Sequence, residues 1–122
     1  TRDFNFVADT CSAFIALARC DAALGQVLNA ASNFEISIGE TASLIAEVMN
    51  VDLEILMDEQ RLRPEDSEVN RLFGDNTRLR QLTDWEPSYS KLEGFRRGLS
   101  RTAEWFTDPA NLNLYRPSSY AV

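Results

Sequence analysis

The 122-residue sequence contains no histidine. That absence removes the side chain most often used as a general base near neutral pH, and the commonest nitrogen ligand for zinc. It also excludes any Ser-His-Asp or Cys-His constellation. Cysteine is nearly absent too, with only Cys11 and Cys20. Both fall in one expected helix, about 13 Å apart along its axis, and a disulfide spans roughly 7 Å at most between α-carbons. Reduced thiols in a cytoplasmic protein are the expectation, and a metal site is not. Basic residues are outnumbered 12 to 19, which leaves a formal charge of -7. A field of that sign argues against nonspecific binding to nucleic acid or to an anionic membrane. No apolar run approaches the roughly 18 residues of a membrane span, and no signal peptide is visible.

Glycine is sparse. The five glycines, at 25, 39, 74, 94 and 98, include no Gly-x-Gly-x-x-Gly turn between a strand and a helix, and there is no Walker loop. Gly94 and Gly98 share an expected helix, where their spacing suits close packing better than ligand contact. Glu47, Glu93 and Glu104 fall on or beside polar helix faces. No residue reads as catalytic.

What is present is an ordinary globular composition, 44% apolar and 25% charged, in a length that suits one domain. Thr1 to Val7 alternates like a strand with no hairpin partner nearby. Its neighbour is expected elsewhere, and the chain reads as a piece of a longer protein. Asp9 or Thr10 can cap a helix on which Val7, Cys11, Phe14, Ile15 and Ala18 recur at helical spacing. Asp21 and Gly25 are expected to end it. Gln26 to Ala31 reads as a buried strand. Ser37-Ile38-Gly39-Glu40 is a capping box, opening a helix with Ile38, Ala42, Ile45, Val48 and Met49 on one face. Asn50 closes that helix, and Leu53, Ile55 and Met57 alternate as a further strand. Strand, helix and strand in so short a span predict a two-stranded parallel βαβ unit.

A short helix is expected from Thr77 to Leu82, with Trp85 anchored in the core. Ser90 to Glu93 reads as a second capping box, before a helix striped with Leu92, Phe95, Leu99, Ala103 and Phe106. From Asp108 to Val122 an extended tail is expected. The fold class is therefore α/β, or α+β by strict count, with the βαβ unit, an N-terminal extended strand and about four helices.

Between the second strand and the Thr77 helix lies Asp58-Glu59-Gln60-Arg61-Leu62-Arg63-Pro64-Glu65-Asp66-Ser67-Glu68-Val69. Pro64 biases Arg63 away from helical geometry, so the arginines sit on an extended or turning backbone. Guanidinium groups so placed suit bidentate recognition of phosphate or carboxylate. The plainer reading is a solvated mixed-charge loop whose acidic residues neutralise the arginines.

Four stretches together resemble the substrate-binding part of extended short-chain dehydrogenase/reductases that act on nucleotide sugars. Arg2-Asp3-Phe4-Asn5-Phe6-Val7-Ala8-Asp9 is similar to that family's Arg-Asp-aromatic-x-aromatic-Val-x-Asp segment. Leu28 to Glu40 is similar to its Asn-Ile-Gly-Ser-Gly-x-x-x-Ser-Ile run, and Arg63-Pro64 with the acids after it resembles its Arg-Pro-Gly-Asp loop. Asp75-Asn76-Thr77, Trp85-Glu86-Pro87 and Leu92-Glu93-Gly94 resemble its closing helices. The pattern looks closest to 4,6-dehydratases acting on UDP-N-acetylglucosamine-type substrates.

The resemblance implies that residues 1–107 are a C-terminal substrate-binding domain, with 108–122 as the tail. It implies Arg2 and Arg63 on the substrate diphosphate, with Arg61 as a possible substitute for Arg63, and Glu65 or Asp66 on the ribose. This chain lacks the glycine expected after Pro64, which bears on the ribose contact. The family's Gly-rich loop and its Tyr-x-x-x-Lys set precede this region and have no counterpart here. The implied parent is an NAD(P)-dependent dehydratase or epimerase, homodimeric, whose Rossmann domain partners this part, with a nucleotide-diphosphate sugar as ligand. The alternative is a free-standing αβ protein-interaction module without activity.

Overall fold

The computed structural model describes residues 1–56 and 69–113. Among these described residues it is a small mixed α/β fold with a minimal sheet and five α-helices. Strand β1 (Arg2–Asp3) pairs antiparallel with β2 (Glu35–Ile36), Arg2 opposite Ile36 and Asp3 opposite Glu35. On its other side Arg2 forms a parallel bridge with Leu72. The Asp3 amide donates to the Leu72 carbonyl (2.9 Å) and the Leu72 amide to the Thr1 carbonyl (3.0 Å). The N-terminal strand therefore lies between two segments that are distant in sequence but within the chain.

The expected parallel βαβ unit does not form among the described residues. The only named strand pair is antiparallel, and neither 26–31 nor 51–56 is a strand; Met57, the last residue of the expected second strand, lies outside the described residues. Alternation marks a strand only where an edge is available to take its hydrogen bonds. Here both edges of β1 are occupied, and Val27, Ile55 and Leu56 are left exposed.

Helix α1 (Val7–Ala18) starts earlier than expected, with Phe6 at the N-cap position and no side-chain cap. Asp9 is not a cap. Its carboxylate, 2% exposed, accepts hydrogen bonds from the amides of Ser88 and Tyr89 (2.9 Å each). A single 3-10 turn (Asp21–Ala23) follows, then Gly25 at φ +72°, a conformation that favours glycine.

Helix α2 (Ile38–Met49) carries the expected capping box, with the Glu40 amide donating to Ser37 Oγ and the Ser37 amide to Glu40 Oε2 (3.1 Å each). Asn50, left-handed at φ 52°, closes it. Helix α3 (Thr77–Leu82) has the expected bounds.

Helix α4 (Lys91–Thr107) does not use its expected box. The Ser90 hydroxyl donates instead to the Ser32 carbonyl (2.6 Å), a tertiary contact that the local pattern does not reveal. Where an extended tail was expected, Pro109–Leu112 forms a one-turn helix, α5, capped by the Asp108 side chain accepting from the Ala110 amide (2.9 Å).

Ala13 of α1, Leu79 of α3 and Trp85 form one buried cluster, joined by Leu17 and Leu28. Trp85 is 5% exposed and its indole N–H donates to Ser12 Oγ (2.7 Å), which is the core anchoring expected of it. A second region packs α2 against α4. Phe95, 8% exposed, meets Phe4 (centroids 5.6 Å apart) and Phe34 (6.2 Å). The two α4 glycines permit close approach, as their spacing suggested. A Cβ on Gly94 would lie 2.5 Å from the Tyr89 carbonyl carbon, and one on Gly98 3.3 Å from the Phe6 ring. Leu92 and Phe106 of the α4 stripe are less buried, each more than 40% exposed.

Candidate functional site

Side chains alternate across a strand, so Arg2 and Asp3 leave β1 on opposite faces. Arg2 Nη1 donates to the carbonyls of Thr1 (2.8 Å) and Val69 (2.7 Å). Val69 is where the described chain resumes after the arginine-rich stretch. Arg61, Arg63, Glu65 and Asp66 lie outside the described residues, so of the expected site residues only Arg2 has a described position.

Glu35, directly opposite Asp3 in the strand pair, belongs to an ion pair that sequence reading did not single out. Arg71 grips the Glu35 carboxylate with two bonds, Nε to Oε2 (2.8 Å) and Nη2 to Oε1 (2.7 Å), and Thr1 Oγ1 adds a third (2.8 Å). These donors, Arg71 first and Thr1 second, hold the Glu35 carboxyl at a pKa of about 2, below its ordinary 4.5. Arg71 stays 63% exposed and its guanidinium also lies over the Phe73 ring, 5.1 Å from the centroid. One available signal was position, since Arg71 closely follows the acidic end of the Arg63 stretch. Its partner Glu35 could not be inferred without knowing that β2 pairs with β1.

Because the folded Glu35 pKa is depressed, its stabilising contribution is present above pH 4.5 and lost as pH falls toward 2. Glu35→Gln is therefore expected to lower the thermal midpoint at pH 6 and to converge on the wild type near pH 2. Parallel melting curves across that range check this.

The Asp3 carboxylate gathers four donors. They are the Ser32 amide (3.0 Å), Ser32 Oγ (2.6 Å), the Asn33 amide (3.1 Å) and the Gly74 amide (3.2 Å). A Cβ on Gly74 would collide with the Ala31 side chain, so the close approach of these two loops requires glycine. Within the Arg-Asp pair, Arg2 is held by the Thr1 and Val69 carbonyls and Asp3 fastens the loops at 32–33 and 74.

A polar cavity of about 420 Å³ opens between Ser32, Asn76, Arg80, Glu86 and Lys91. Arg80 and Glu86 pair with each other there, and Asn76 Nδ2 donates to the Ala31 carbonyl (2.9 Å). Among the described residues, no group of three or more His, Cys, Asp or Glu could hold a metal ion. Among the described residues no helix is long and apolar enough to cross a membrane.

The sequence model of GDP-mannose 4,6 dehydratase matches residues 1–98, and the chain belongs to that family of nucleotide-sugar enzymes. It is similar to the GDP-6-deoxy-D-mannose reductase of Pseudomonas aeruginosa, 36% identical over 100 residues. The match covers 82% of this chain and 32% of that protein's length. No solved structure matches. The expected leaning toward UDP-N-acetylglucosamine-type enzymes is corrected by these findings, since both matches carry GDP-sugar names.

Proposed function

We propose that this chain supplies the sugar-nucleotide-binding part of an NAD(P)-dependent dehydratase or reductase acting on a GDP-linked hexose. The observation that carries the reading is the anchoring of Arg2. Its Nη1 donates to the carbonyls of Thr1, just before β1, and of Val69, where the chain leaves the arginine-rich stretch. Arg2 and Arg63 together hold the diphosphate in this reading, and Glu65 or Asp66 meets the ribose. Both matched proteins have GDP-linked sugars in their names, which supports a guanine nucleotide.

The cofactor and the reacting groups belong to a Rossmann domain of the same enzyme, a cytoplasmic homodimer. Binding energy gathered on the diphosphate, remote from the reacting carbons, orients the hexose and can raise the rate as well as the affinity.

The test is Arg63→Ala in the complete enzyme. Loss of a charged hydrogen bond of about 1.5–3 kcal/mol should raise the GDP-sugar dissociation constant roughly 10- to 150-fold. NAD(P) affinity should stay unchanged. Unaltered GDP-sugar binding, or an equal loss for both ligands, would count against the assignment.

A further inference from the structure

We infer that Glu35 and Arg71 are positioning residues for the diphosphate site, fixing the carbonyl that holds Arg2 while touching no ligand themselves. The inference rests on the reading above that Arg2 contacts the diphosphate. Glu35 stands directly opposite Asp3 in the strand pair, and such neighbours share a face. Its side chain therefore leaves the sheet on the Asp3 side, while Arg2 leaves on the other. Both Glu35 carboxylate oxygens are engaged, by Arg71 and Thr1. Any effect of Glu35 on a ligand at Arg2 must pass through the chain.

The route is the segment 69–72. Its Val69 carbonyl is one of two acceptors for Arg2 Nη1 (2.7 Å). Backbone bonds join the segment to the first strand. The Thr1 nitrogen donates to the Asn70 carbonyl (2.6 Å), the Leu72 amide to the Thr1 carbonyl (3.0 Å) and the Asp3 amide to the Leu72 carbonyl (2.9 Å). Burial adds little, since Val69 is 49% exposed and Leu72 53%.

Bonds to a single neighbour fix spacing but not twist, and the twist between paired strands ranges over roughly 10–35°. From the Leu72 bridge to Val69 the chain makes a lever of about 10 Å at strand rise. A change in twist of about 10° would carry the Val69 carbonyl roughly 1.7 Å, enough to break a hydrogen bond. Arg71 removes that freedom. Its two-bond grip on Glu35 ties the segment to β2, on the other side of β1, so that all three turn together. A guanidinium fork on a carboxylate fixes orientation as well as distance, which a point charge does not. As an exposed pair it contributes modestly to stability, so its main effect is on geometry.

The test is a set of variants of the complete enzyme, titrated calorimetrically with GDP, which carries the diphosphate without the hexose. Arg2→Ala should weaken GDP binding at least about 10-fold, as loss of a charged hydrogen bond does. Glu35→Gln and Arg71→Met should each weaken it about 5-fold, the size of one lost anchoring bond, and the double variant no further. Arg71→Lys, a milder change that keeps the charge without the fork, should weaken it in the same direction. In an Arg2→Ala background Glu35→Gln should have no further effect, because the pair acts through Arg2. NAD(P) affinity should stay at the wild-type value throughout.

Wild-type GDP affinity in Glu35→Gln, with the Arg2→Ala loss present, would overturn this inference and leave the proposed function standing. A loss in Arg71→Met but not in Glu35→Gln would overturn it as well, by making Arg71 a direct ligand. So would an effect of Glu35→Gln that persists without Arg2, or a matching loss of NAD(P) affinity, since either reduces the pair to a structural brace. Wild-type GDP affinity in Arg2→Ala removes the proposed function and this inference together.

Discussion

Asp3→Ala should lower the unfolding free energy by about 3–4 kcal/mol. One charged hydrogen bond contributes about 1.5–3 kcal/mol, and bonds that share an acceptor do not add fully. Asp3 receives four, from Ser32 twice, Asn33 and Gly74. Three of these donors sit on the loop before β2 and one on the loop before α3, so the carboxylate ties both to β1. Its removal strands the amides and frees two loops together. The loss is a large part of the 5–15 kcal/mol that stabilises a typical domain.

Urea denaturation followed by tryptophan fluorescence measures the effect. Asp3→Asn should recover part of the loss, because one amide oxygen still accepts while the amide nitrogen faces donors. Arg2→Ala should cost less, since its carbonyl partners Thr1 and Val69 remain close to water. If the Asp3→Ala midpoint stays where the wild type's is, the clamp has no energetic weight.

Phe95→Ala should cost about 3–5 kcal/mol, the usual range for truncating a buried aromatic in a core that cannot collapse around the gap. Phe95 is 8% exposed and meets two rings, Phe4 and Phe34. The backbone around it has little freedom to close in, because Gly94 and Gly98 already bring α4 against Tyr89 and Phe6. A double-mutant cycle with Phe4→Ala should give a coupling of about 0.5–1.5 kcal/mol for the ring pair. A cost below about 1 kcal/mol for Phe95→Ala would mean that this part of the fold is loosely packed.

The places where reading the sequence fell short share one cause. Ser37 and Ser90 open similar Ser-x-x-Glu patterns, yet only Ser37 forms its box, because a carbonyl 58 residues away in sequence captures the Ser90 hydroxyl. Asp9 reads as a cap but holds the turn at Ser88 and Tyr89. Val7, Cys11, Phe14 and Ile15 recur at helical spacing, which identifies a common face without saying which side is inward. The true inward side of α1 is chosen by Trp85 and Leu79, which arrive from far along the chain. The βαβ expectation failed for the same reason, as alternation describes a strand's faces and says nothing about its hydrogen-bonding edges.

By itself the sequence determined the local features: the α2 capping box, the bounds of α3, the Asn50 terminus, the close packing at Gly94 and Gly98, and the absence of imidazole chemistry. It also determined the family, through motifs that keep their order along the chain. Tertiary structure alone decided that Arg2 is braced by Val69, that Glu35 belongs to Arg71, and that Asp3 is a clamp. The physical reason is range. Caps and helix ends are settled within about one turn of backbone, whereas a carboxylate takes whichever donors the folded chain brings within hydrogen-bonding distance.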